Sequence, residues 1–245
     1  MARWFAGLPD RYFASLEPKT IVRHVRLSRS RGERPIAMEV KHHPRKGYSE
    51  LALSAADAPG LLASITGVLL AHRIDILSAQ IHSRAGVEDG DRGEALDVFF
   101  VRDRYGRGIP EGDPRWKRVA EDLARVAQGE PVEVILAARR EKGSLNKRVT
   151  PEVTTEIEID NRVSGDFTVI DVYTQDRLGI LHAITRALTT QGLDICLSKV
   201  ATEAERVADV FYVRDRESGQ KVQDEERLAC IREALVAALK EVKAS

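Results

Sequence analysis

The 245-residue sequence predicts an α+β protein of two ferredoxin-like βαββαβ modules, each an antiparallel sheet covered by helices, the second module lacking its own last strand. Three observations carry this. With an offset of 119, Asp57, Gly60, Leu62, Ile65, Thr66 and Asp75 fall on Asp176, Gly179, Leu181, Ile184, Thr185 and Asp194. Further on the offset is 112, and Asp97-Val98-Phe99-Phe100-Val101-Arg102-Asp103 falls on Asp209-Val210-Phe211-Tyr212-Val213-Arg214-Asp215, so the first copy holds a seven-residue insertion. In both copies the hydrophobic period changes in one fixed order, from strand to helix to strand.

In chain order, 48–55 and 167–174 read as first strands. Segments 59–72 and 178–191 carry Leu61, Leu62, Ile65 and Leu69, and Ile180, Leu181, Ile184 and Leu188, at helical spacing. Segments 74–84 and 193–202 are second strands, and 94–102 and 206–214 third strands. The insertion falls in 85–93, a Gly- and acid-rich hairpin tip where extra length costs little. Second helices are expected over about 114–128 and 224–242, and a fourth strand over 131–138 in the first copy only. Ahead of each copy, Met38-Glu39-Val40 matches Ile157-Glu158-Ile159 at the offset of 119, which adds a leading strand; that of the second copy, within 153–159, is the candidate to complete its sheet. The expected divisions are an N-terminal helical or linker segment 1–35, module one 36–139, a linker 140–152 and module two 153–245. Within 23–34 the basic run reads as a solvated connector, because it lacks the interleaved aromatics of a nucleic-acid site.

Composition excludes several classes. Hydrophobic residues at 43% and charged residues at 31% are those of an ordinary soluble globular chain, and a net charge of +0 gives no whole-molecule attraction to nucleic acid or anionic membrane. Cys196 and Cys230, both in apolar segments, are expected as buried free thiols. No membrane span or signal peptide is apparent, so the expected location is cytoplasmic.

The turns between first strand and first helix are the candidate binding loops: Asp57-Ala58-Pro59-Gly60-Leu61 and Asp176-Arg177-Leu178-Gly179-Ile180. Glycine permits close backbone approach, the helix N-terminus favours a carboxylate, and the Asp can hold an ammonium, so one loop offers the two charges of an α-amino acid. Asp75 and Asp194, at the second-strand entries, are candidates for a second wall. For all four acids, capping of a helix or turn is the competing explanation.

On these residues the chain resembles the ACT domain family, marked by an Asp-x-x-Gly-Leu/Ile-Leu turn and a hydrophobic-Asp-Ile entry to the second strand, over 48–138 and 167–242. Within that resemblance it is more closely similar to the C-terminal part of the bifunctional uridylyltransferase and uridylyl-removing enzymes that modify the nitrogen regulator PII, through Trp4-Phe5-Ala6-Gly7-Leu8-Pro9-Asp10-Arg11-Tyr12, 176–181 and 207–213. The resemblance implies regulation by an amino acid bound between modules, with glutamine as ligand and Asp57, Gly60, Leu61, Asp176, Gly179 and Ile180 on the ligand loops. It also implies a PII-type protein or a catalytic partner, and the unfinished sheet edge leaves a homodimer open. No Gly-Ser turn with paired carboxylates precedes residue 48 and no His-Asp dipeptide occurs, so catalytic residues, metal ligands and cofactors are not expected. His42-His43 beside Pro44 reads as a solvated turn. The alternatives are a ligand-free interaction or dimerisation module and a part of an active uridylyltransferase.

Overall fold

Eight antiparallel strands form one continuous sheet, and each half of it is one copy of the sequence repeat. The computed structural model describes residues 12–13, 17–84, 93–139, 154–203 and 206–244. The expected hairpin tip at 85–92, the linker 140–152, residue 153 and residues 4–11 lie outside these.

Helix α1 (Pro18–Arg31) leads into β1 (Ile36–His43), β2 (Tyr48–Ala56), α2 (Leu61–Ala71), β3 (Ile74–Arg84), β4 (Glu94–Asp103), α3 (Arg115–Ala127) and α4 (Val132–Ala138). The second unit is β5 (Glu156–Asp160), β6 (Thr168–Gln175), α5 (Ile180–Thr190), β7 (Leu193–Glu203), β8 (Arg206–Asp215) and α6 (Glu225–Ala244). The sheet order is β1-β2-β4-β3-β7-β8-β6-β5.

The leading strands take the edge positions beside the first core strands, with Met38 opposite Leu53 and Ile157 opposite Val172. Each module therefore runs ββαββα rather than βαββαβ. The expected fourth strand over 131–138 is instead α4, because Val132 and Ile135 are buried one helical turn apart while Val134 is 47% exposed. Pro131 starts the helix, and β1 already fills the slot beside β2. The basic stretch expected as a connector is largely α1, which buries His24, Val25 and Leu27 against the other face of the sheet, where Leu27 meets Ala37, Ala52 and Val98. His42 and His43 end β1 and touch Ser49 and Glu50, so they are strand residues rather than a free turn. Cys196 is half-buried and Cys230 exposed on α6, contrary to the expected buried thiols; α6 buries the stripe Leu228, Ile231, Leu235 and Leu239 and turns Cys230 away.

The halves are related by a pseudo-twofold axis, and residues 119 apart meet on it. Gln80 pairs with Lys199 at the centre of the β3–β7 ladder. Above the sheet α2 crosses α5, with the Thr66 and Thr185 hydroxyls 3.1 Å apart and His182 Nδ1 donating to the Ala63 carbonyl at 3.0 Å. Gly67 makes this approach possible, since a Cβ there would lie 2.6 Å from Val132 Cγ2 and 2.8 Å from the His182 ring. Fully buried Ile65, Leu69, Ile184 and Leu188 fill the space beneath, each stabilising the fold by about 1.5–3 kcal/mol relative to exposure. Among the described residues no helix is long and apolar enough to cross a membrane.

Candidate functional site

Both loops open their helices on a glycine. Gly60 (φ 76°) and Gly179 (φ 90°) are the residues at which α2 and α5 begin, both left-handed, and neither helix has a side-chain cap hydrogen bond. Neither Asp57 nor Asp176 is the cap residue of its helix, although Asp57 accepts the Ala58 N–H within its own turn. A Cβ at Gly60 would lie 3.0 Å from Thr189 at the end of α5, and one at Gly179 3.1 Å from Leu70 at the end of α2. Each loop thus abuts the opposite module.

The second-strand acids complete this exchange. β3 and β7 carry register shifts between Ile76 and Ser78 and between Ile195 and Leu197, just after Asp75 and Asp194, and such bulges bend a strand and redirect its side chains. Asp75 and Asp176 share the Arg102 guanidinium, and the charge of Asp194 reaches Asp57. Two pseudo-equivalent candidate sites result, each combining a loop from one module with a strand-entry acid from the other.

At the loop of the second module, Asp176, Arg177, Gly179, Ile180, Leu181 and His182 form a cleft with Thr66, Leu70, Ile74, Asp75 and Ile76. Arg102 Nε lies 2.7 Å from Asp75, and its terminal nitrogen 3.5 Å from Asp176. Burial, then the Asp75 charge, pushes the Asp176 carboxyl up to about 6 although Arg102 pulls it down. Leu178 is half-buried and does not line the cleft.

At the loop of the first module, Asp57 accepts from the Ser83 hydroxyl and the Ala58 N–H, while burial and, more weakly, the Asp194 charge raise its carboxyl. Pro59 is exposed and Leu61 is buried as the first residue of α2. Asp194 is held within its own module by Arg216 Nε at 2.9 Å.

Asp97 stands on β4 beside Asp57, 2% exposed; its carboxyl accepts the His82 N–H, but Oδ1 has no hydrogen-bond partner. Burial, with Asp57 nearby, pushes this carboxyl up to about 8. In the sequence Asp97 and Arg102 stand only as strand residues of the repeated heptad. An acid in the middle of an otherwise apolar strand was the signal available for Asp97; Arg102 gave none, because its partners come from β3 and from the other module. Among the described residues no group of three His, Cys, Asp or Glu side chains is placed to hold a metal ion.

Comparison with known proteins bears on this arrangement. Residues 156–242, from β5 into α6, match the family model of the ACR9-like, ACT-like domain. The chain is 35% identical over 232 residues to the bifunctional uridylyltransferase/uridylyl-removing enzyme of Rhodospirillum rubrum and 34% identical over 230 residues to that of Azospirillum brasilense, covering 93% of this chain and 24% of each relative. The same-named enzyme of Gluconobacter oxydans is 34% identical over 238 residues. The chain thus spans about a quarter of the length of the curated relatives it matches.

Proposed function

We propose, from the premise that this chain is a tandem of ACT-like modules resembling a quarter of those bifunctional enzymes, that it is a non-catalytic regulatory unit sensing a small α-amino acid, glutamine first among the candidates. One observation carries the proposal: at the module interface each loop, with its uncapped helix N-terminus, faces an acid from the other module. Uncapped N–H groups favour a ligand carboxylate, and the facing acids, whose pKa values are raised, gain most from a ligand ammonium.

Because every ligand wall combines both modules, occupancy reads out their relative position. A ligand that prefers one arrangement shifts the population toward it, which is how such a unit would control an attached or associated enzyme of PII uridylylation. The sensing site lies in 36–139 and 153–245, and residues Asp57, Pro59, Gly60, Leu61, Asp75, Asp176, Leu178, Gly179, Ile180 and Asp194 are its proposed frame. The test is calorimetric titration of the purified chain with L-glutamine and other amino acids, with melting temperatures recorded alongside. Saturable heat and a ligand-dependent rise in melting temperature are expected; absence of both for every amino acid refutes sensing and leaves an interaction module.

A further inference from the structure

The repeat alone predicts two equal sites, but Arg102 breaks the symmetry. With the amino-acid sensing proposed above as the basis, we propose that the tandem is a single-site receptor: Arg102 is a built-in occupant of the Asp176 loop, and an ammonium-bearing α-amino acid is taken at the Asp57 loop alone.

At the Asp176 loop the Arg102 guanidinium lies between one carboxylate from each module, 2.7 Å from Asp75 and 3.5 Å from Asp176, the position an external ammonium would otherwise occupy. The cleft left there is about 20 Å³, room for a water molecule and not for an amino acid. The repeat-related Arg214 behaves differently. Its Nε donates to the Asp166 carbonyl at 3.1 Å, and its guanidinium lies 4.4 Å from the Phe167 ring centroid, both within its own module. Asp194, the counterpart of Asp75, is served instead by Arg216, which also donates to the carbonyls of Thr189 and Leu193 and so stays on its own side.

No cation among the described residues therefore crosses to Asp57, whose neighbours are Ser83, the Ala58 N–H and two further acids, Asp194 and Asp97. The buried Asp97 Oδ1 near this loop has no hydrogen-bond partner and is an acceptor that an arriving ammonium can satisfy. An ammonium at the Asp57 loop would supply both the charge and the hydrogen-bond donors.

Two measurements test this. In calorimetric titration with L-glutamine, the wild type should bind one equivalent per chain; Asp57→Asn should abolish binding, and Arg102→Gln should add a second equivalent that Asp176→Asn removes again. Two equivalents in the wild type, or loss of the single event in Asp176→Asn rather than Asp57→Asn, overturns the assignment. The second measurement needs no ligand. Arg102→Gln should lower the melting temperature by about 3–6 °C, and by less than half as much in the Asp176→Asn background; equal losses in both backgrounds show that Arg102 does not close the Asp176 loop. Absence of heat in every variant refutes glutamine sensing and the Asp57 assignment with it, while the melting cycle then decides the Arg102 contact alone.

Discussion

Replacing Asp97 by Asn should make the protein progressively more stable than the wild type as pH rises from 5 to 8. The carboxyl titrates at about 8 in the fold, against an ordinary value of 3.8, because burial and Asp57 disfavour its charged form. Between those values the folded chain holds a proton that the unfolded chain has released, so wild-type stability falls with rising pH through this window and levels off above about 8. Each pH unit corresponds to at most about 1.4 kcal/mol. From pH 5 to 7.5 the limit is thus about 3 kcal/mol, and relaxation of the site reduces it to about 1–2 kcal/mol. Asn keeps the acceptor for the His82 N–H and cannot ionise. Any fixed penalty of the amide cancels when the variant is compared with the wild type at two pH values. Thermal melting at pH 5 and 7.5 should show the difference between the two proteins moving about 3–6 °C in favour of Asp97→Asn. A difference that stays flat or narrows would show that Asp97 ionises normally and that the pocket beside Asp57 lacks the electrostatic character assigned to it.

Three further outcomes follow. Gly67→Ala, a change that stabilises a free helix by about 1 kcal/mol, should instead destabilise this protein by about 1 kcal/mol in chemical denaturation, because the new methyl meets Val132 Cγ2 at 2.6 Å and His182 at 2.8 Å; a gain in stability would contradict the α2–α5 contact. His24, buried against Tyr12, is pushed down to about 4, first by burial and then by Arg23, so its stabilising effect is complete above about 6.5 and lost as pH falls toward 4. His24→Gln should therefore lose about 2 kcal/mol less than the wild type between pH 7 and 4.5, and equal losses would place the acid transition elsewhere. Gly179→Ala, at φ 90° and with Leu70 at 3.1 Å, should lower the melting temperature by about 3–6 °C; an unchanged value would mean that the loop is not held against the other module.

Much of the architecture was legible in the sequence because duplication writes it twice. The offset that aligned Asp57 with Asp176 is also the one that brings Thr66 to Thr185 and Gln80 to Lys199 on the axis. Met38 and Ile157 revealed leading strands, though not that these would fill the edge in both halves. Two elements were misread for local reasons. Val132, Val134 and Leu136 alternate like a strand, and only the exposure of Val134 against buried Val132 and Ile135 exposes the helical period. The charges of 23–34 masked the apolar side of α1, since Val25 and Leu27 are few among five arginines.

The candidate site was half legible. Loop chemistry marked Asp57, Gly60, Asp176 and Gly179, but the identity of their partners depends on how two modules cross, which no local pattern encodes. The exchange of Asp75 and Asp194 between modules, and the closure of one loop by Arg102, arise only once β3 and β7 share a ladder.

The central claim is that a site shared between modules takes an amino acid through Asp57. Calorimetric titration of the wild type and Asp57→Asn with L-glutamine tests it most directly: saturable binding by the wild type that the isosteric variant loses, with its fold intact by melting, is the predicted result. Equal binding by both proteins, or none by the wild type, would contradict it.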